Sequence, residues 1–156
     1  MDIYKLLKSN SISFEEYTHL PVFTCQEADK LVPKSDGIRT KNLFLRDKKG
    51  KNHFLVVLPA GKILDLDQFS NKIGAVKLGF ASHERLQNYL GVTPGSVSIL
   101  AKFNDVSKEV NLYIDSLILE SKKIACHPLI NDKTLVIETK DILRLLEKEG
   151  HSFKVC

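Results

Sequence analysis

Several short segments of the 156-residue chain carry groups that can do chemistry. One is Thr40-Lys41-Asn42, at the start of the run Thr40-Lys41-Asn42-Leu43-Phe44-Leu45-Arg46-Asp47. Side chains alternate along a strand, so Lys41 shares a face with Leu43 and Leu45, while Asn42 lies with Phe44 and Arg46. A cation beside an apolar face either snorkels to water from the strand end or is held there for a purpose. A second segment is Thr93-Pro94-Gly95-Ser96, where the Gly95 and Ser96 N–H groups could hold an anion or a carbonyl oxygen, or simply connect a helix to a strand. A third is His127-Pro128-Leu129-Ile130-Asn131-Asp132. Pro128 keeps His127 extended and aims its imidazole from a strand end, while Asn131 and Asp132 are ordinary turn formers. Cys25, near a helix N-terminus, could be a nucleophile, but no feature of the sequence links it to a base. Spacing alone leaves the structural and the functional reading of each segment open.

Other chemistries are excluded more firmly. The chain has no Gly-rich phosphate loop, HExxH, GxSxG or EF-hand pattern. Its histidines stand at 19, 53, 83, 127 and 151, and none pairs with another or with a cysteine at metal-ligand spacing. Adjacent Cys126 and His127 would point to opposite faces of a strand, so no metal site is expected. Cys25, Cys126 and Cys156 are odd in number and widely spaced, which argues for reduced, unpaired thiols. No cofactor motif is present.

These segments need elements to position them. Ile3, Leu6 and Leu7 share a face of a short opening helix, and residues 13–18 alternate as a strand. Thr24-Cys25-Gln26-Glu27 has the capping-box pattern and predicts a helix to about Leu31, ended by Pro33. Two branched and aromatic runs around Gly50 predict a hairpin that carries Lys41. Asp67 is expected to cap a helix over 68–72 closed by Gly74, and Ser82 to cap one that carries Leu86, Tyr89 and Leu90 and stops at Gly91. Strands are expected at 75–80, 97–100, 110–114, around Ile124 and at 135–138. Thr139 is expected to cap a last helix with Ile142, Leu143, Leu145 and Leu146 buried, before a final strand at 152–155. Strands and short helices interleave without regular β-helix-β alternation, which predicts an α+β fold: a mixed, mostly antiparallel, barrel-like sheet surrounded by short helices.

With 43% hydrophobic residues the chain supports one core, so residues 1–156 are expected to form a single domain. A net charge of +4 permits contact with a polyanion without marking a dedicated nucleic-acid binder. The amphipathic start and the lack of a long apolar run predict a cytoplasmic protein with no membrane partner.

Together, Thr40 to Asp47, Leu90-Gly91-Val92-Thr93-Pro94-Gly95-Ser96-Val97-Ser98 and His127-Pro128-Leu129-Ile130-Asn131 resemble, in order and spacing, the signature segments of the YbaK/ProX family of aminoacyl-tRNA deacylases. The likeness is strongest to the free-standing prolyl-tRNA editing proteins. It implies hydrolysis of alanine mischarged onto proline tRNA, with no cofactor, and leaves open a prolyl-tRNA synthetase as partner, another small or thiol amino acid such as cysteine as the one removed, and a non-catalytic tRNA-end binding module that kept the fold. It also implies that Lys41 and His127 serve catalysis, and that Thr40, Asn42, Gly95, Ser96 and Asn131 bind substrate. Family members often carry Phe and Thr where this chain has Cys126 and Asp132, and Pro where it has Ile99.

Overall fold

The polar turn around Gly50, which sits at φ 67°, folds the chain back on itself. The result is an antiparallel hairpin of β2 (Ile38–Arg46) and β3 (His53–Pro59), with Lys41 opposite Leu58 and Asn42 opposite Val57. The computed structural model, which describes residues 1–156, builds one sheet system around this hairpin. The other strands are β1 (Phe14–Thr18), β4 (Gly79–Phe80), β5 (Val110–Ile114), β6 (Lys123–Cys126), β7 (Lys133–Glu138) and β8 (Phe153–Val155). Their order is β1-β7-β6-β2-β3-β5-β8, with β4 on β2. The β1–β7, β6–β7, β2–β3 and β2–β4 pairs are antiparallel, and β2–β6, β3–β5 and β5–β8 are parallel. The sheet is therefore mixed and mostly antiparallel, as the interleaved pattern predicts.

Helices α1 (Ile3–Ser9), α2 (Cys25–Leu31), α3 (Leu66–Ile73), α4 (His83–Leu90), α5 (Ser116–Glu120) and α6 (Thr139–Lys148) surround it, with a 3₁₀ helix at Ile99–Asn104. Because side chains alternate, the hairpin feeds two apolar clusters. Phe44, Leu55 and Val57 join the main core, while Leu45, Phe54, Val56 and Leu58 join a smaller one with Phe69, Leu78 and Tyr113. Truncating a fully buried member such as Leu55 to Ala costs about 2–5 kcal/mol. That rigidity fixes β2, and with it the backbone of Lys41.

Some elements differ from the sequence expectation, each for a local reason. Asp65, not Asp67, caps α3, its carboxylate accepting from the Gln68 N–H at 3.0 Å. Residues 97–100 are not a strand. Ser98 caps the 3₁₀ helix at the Leu100 N–H, and Ile99 to Phe103 are buried all round, which leaves the apolar run without a period. Only Gly79–Phe80 of the 75–80 stretch pairs as a strand. The last helix begins at Thr139 itself, after Glu138, with no side-chain cap. Helix α5 follows Asp115, whose carboxylate accepts from the Leu117 N–H. No helix is long and apolar enough to cross a membrane.

Candidate active site

The cleft exists because two strands part. Parallel β2 and β6 pair only at Ile38–Ile124 and Arg39–Ala125. The Thr40 hydroxyl, donating to the Ala125 carbonyl at 3.1 Å, is the next tie between them. Beyond it the strands diverge, leaving Lys41 and Asn42 on one side and Cys126 and His127 on the other. Helix α2, the Val22–Phe23 segment and Gly95 close the remaining walls around a volume of about 180 Å³.

Helix α2 forms a wall because Thr24 caps it, accepting from the Glu27 N–H at 3.1 Å. The reciprocal half of the capping box differs from its sequence pattern: Glu27 accepts from the Thr24 hydroxyl at 3.4 Å. No residue of α2 is buried, so little apolar packing holds it. Arg39 does so instead, pairing with Asp29 and donating to the Cys25 carbonyl at 3.2 Å. Arg39 is thus a cleft cation that no local pattern singled out, since its partners lie on a distant helix.

Lys41 is half-buried and donates to the main-chain carbonyl of Lys62, with no carboxylate paired to it. Its other ammonium protons are free. The lining residues include the cations Arg39 and Lys41 and no Asp or Glu, so the cleft favours an anionic or strongly polar ligand. The Asn42 Oδ1 is buried without a hydrogen-bond partner. A buried acceptor left unpaired costs about 1–3 kcal/mol, a cost that a ligand donor would relieve.

His127 has a fixed tautomer. Its Nδ1 lies 2.8 Å from the Lys133 carbonyl, which can only accept, so Nδ1 carries the proton and Nε2 keeps its lone pair. Burial pushes the imidazole below its ordinary pKa, outweighing the carbonyl, and the nearby His19 and Arg39 push the same way. The ring is therefore neutral at pH 7 and offers an acceptor. His19 stands with its ring centroid 6.2 Å from that of His127, and its Nε2 meets the Thr134 hydroxyl at 2.8 Å in the cleft wall. Histidines far apart in the sequence thus meet here.

Gly95 takes φ 87° in a turn closed by the Ser96 N–H on the Thr93 carbonyl at 3.0 Å. That bond corrects one expectation: the Ser96 N–H is spent inside the turn, its residue is buried, and it does not line the cleft. The Gly95 N–H makes no such bond. A side chain at this position would also meet Phe23 at 3.1 Å. Asn131 likewise stays outside the lining, where its Nδ2 donates to the Val22 carbonyl at 3.2 Å and its own carbonyl accepts from the Val22 N–H at 3.0 Å. It fastens the Val22–Phe23 wall. Of the residues where this chain departs from the common family pattern, Cys126 lines the cleft, while Asp132 and Ile99 do not.

The family model for the aminoacyl-tRNA editing domain matches residues 19–145, a span that contains every segment of this cleft. The chain belongs to the aminoacyl-tRNA editing domain family. Among relatives in this family, it is 38% identical to the prolyl-tRNA editing protein ProX of Acetoanaerobium sticklandii, over 92% of this chain and 87% of that one. It is 35% identical to prolyl-tRNA synthetase associated domain-containing protein 1 of Danio rerio, over 97% and 83%. The multifunctional Ser/Thr-tRNA deacylase ProXp-y of Escherichia coli is 26% identical over 96% and 89%. The fold superposes with a TM-score of 0.69 and 19% identity on a crystal structure described as a candidate trans-editing enzyme for prolyl-tRNA synthetase, covering 99% of this chain and 93% of that one.

Proposed function

We propose that this protein is a free-standing editing hydrolase that removes a wrong amino acid, alanine foremost, from proline tRNA. The observation that carries the proposal is a cleft without carboxylates that Lys41, Gly95 and a neutral His127 all line. Hydrolysis of an aminoacyl ester needs placed water, stabilisation of the oxyanion that forms on the carbonyl oxygen, and somewhere for the leaving ribose oxygen to find a proton. Lys41 meets the phosphate or ribose of the terminal nucleotide. The Gly95 N–H donates to the ester carbonyl oxygen, a part that falls to Gly95 alone since the Ser96 N–H is engaged. His127 Nε2 accepts from the free ribose hydroxyl, and Asn42 Oδ1 accepts from the α-ammonium or a second hydroxyl. Water adds to the carbonyl carbon, the C–O ester bond breaks, a proton from that water passes to the leaving ribose oxygen, and the products are the free amino acid and the ribose hydroxyl of the tRNA.

The need for such an enzyme is physical. A synthetase pocket shaped for proline excludes a smaller alanine by only about 1–3 kcal/mol, so a second, smaller sieve is required. In this cleft Ala28, Val32 and Ala125 form a small apolar wall suited to that task. A prolyl-tRNA synthetase that hands over the charged end is the matching partner. The test follows ester loss from proline tRNA charged separately with alanine, cysteine, serine or proline. Alanine is expected to be lost fastest and proline to be retained. No deacylation of any of them overturns the enzyme, whereas faster loss of cysteine or serine overturns only the choice of amino acid.

A further inference from the structure

The carbonyl that holds Lys41 belongs to an exposed turn. The Lys62 N–H closes that turn on the Pro59 carbonyl at 3.0 Å, and Gly61, Lys62 and Ile63 all face solvent, Ile63 being 88% exposed. A turn with so little buried apolar surface has a low local opening free energy, and its carbonyls wander unless something else fixes them. What fixes this one is the Lys62 side chain, whose ammonium pairs with the carboxylate of Asp115. Asp115 is fully buried and tied on its other sides. Its second oxygen accepts from the Leu117 N–H at 2.8 Å, and its own N–H donates to the Val57 carbonyl of β3 at 2.9 Å. β3 in turn is the partner strand of Lys41, through Leu58.

We propose that Lys62 is a positioning residue for Lys41: the buried Asp115 carboxylate anchors the Lys62 side chain, and the Lys62 carbonyl thereby holds the Lys41 ammonium at the cleft. The pair is exposed only at its Lys62 end, where solvent weakens the attraction. This one matters through geometry, because it converts the fixed position of Asp115 into a fixed position for a main-chain acceptor. Displacement of a reacting or substrate-holding group by about 1 Å can cost up to about 100-fold in rate. The consequence for turnover rests on the proposed role of Lys41, while the geometry does not.

The test therefore has an arm independent of activity. Each protein is treated with an amine-acetylating reagent, and the rate at Lys41 is read by peptide mass mapping in wild type, Lys62→Met and Lys62→Arg. Freed from its carbonyl, Lys41 in Lys62→Met is expected to react about fivefold faster, while Lys62→Arg, which keeps a cation for Asp115, stays within about twofold of wild type. In deacylation, Lys62→Met is expected to lower kcat about tenfold with KM nearly unchanged, Lys62→Arg to restore most of it, and Lys62→Met to have no further effect in a Lys41→Ala background. An unchanged acetylation rate at Lys41 in Lys62→Met overturns the relay, as does an equal kcat loss with and without Lys41. If the wild type deacylates nothing, the proposed function fails while the acetylation rates still decide the relay.

Discussion

Lys41 and Lys102 both rest their ammonium groups on main-chain carbonyls, and they do so in opposite settings. Lys102, in the 3₁₀ helix, is 2% exposed, pairs with the Asp105 carboxylate and donates to the Val110 carbonyl at 2.6 Å. Asp105 also accepts from the Val110 and Glu109 N–H groups at 2.9 and 3.0 Å. Every charge there is met within the fold. Lys41 has a carbonyl and no counter-charge, and it faces a cleft that holds a second cation. A satisfied buried pair specifies structure, whereas a cation left without a counter-ion on a concave surface is available to a ligand.

The comparison breaks most clearly by exchanging losses. Lys41→Ala is expected to reduce kcat/KM for mischarged proline tRNA by about 100-fold or more while the urea midpoint stays within error of wild type. Lys102→Met strands the Asp105 carboxylate and is expected to cost about 3–5 kcal/mol of stability, with the folded fraction turning over normally. A Lys41→Ala protein with wild-type activity, or a Lys102→Met protein as stable as wild type, would collapse the distinction.

Two histidines sharpen the same contrast with a smaller effect. His53 is 1% exposed, stacked 4.0 Å from Tyr89 and 5.6 Å from Phe44, with Nε2 at 2.9 Å from Arg85 Nη1. Both the faces and Nε2 of that ring are in use. His127 has Nδ1 engaged and Nε2 open to the cleft wall. His127→Ala is expected to cost about 10- to 50-fold in kcat with about 1 kcal/mol of stability, and His53→Ala about 2–3 kcal/mol of stability with kcat intact. Paired kinetics and urea melts on the two variants check this.

The same division decides what could be read before folding. Caps and stops with local chemistry were legible: Thr24, Ser82, Gly74 and Gly91 end their helices where residue type places them. Elements without a period were not, and Ile99 and Leu100 pass from expected strand to 3₁₀ helix because burial on every side erases alternation. At the site, Thr40, Lys41, Asn42, Gly95 and His127 come to one cleft, though their joint role in the sequence rested on a family likeness, not on spacing. Arg39 and His19 were missed because their partners are distant in the chain. Turn chemistry alone spends the Ser96 N–H, since the fourth residue of a closed turn donates its N–H to the first. Asn131 retained its turn-former character but turned it on Val22, a contact spanning the whole domain.

The smallest effect expected is in pH. His53, His127 and His151 all have folded pKa values below the ordinary 6.5, burial being the first cause for each. In the unfolded chain these rings bind protons near 6.5, so between 6.5 and the lowered folded values the unfolded state holds more protons. Stability is then full above 6.5 and falls as pH drops through that window, by up to about 1 kcal/mol per unit for each ring. The buried Asp105 carboxylate does not enter this range: against its desolvation, Lys102 and backbone donors hold it below 3.8, so its contribution is lost only at much lower pH. His53→Gln and His127→Gln should each flatten the slope below pH 6.5 by one ring's share, measured as urea midpoints across the range. Only His127→Gln should also change the acid limb of kcat, because only His127 offers its neutral nitrogen to the cleft. In the wild type that limb should lie below 6.5, at the lowered value of His127. An acid limb at or above 6.5, or one moved equally by His53→Gln, would remove His127 from the chemistry and leave it, like His53, a ring that only the fold uses.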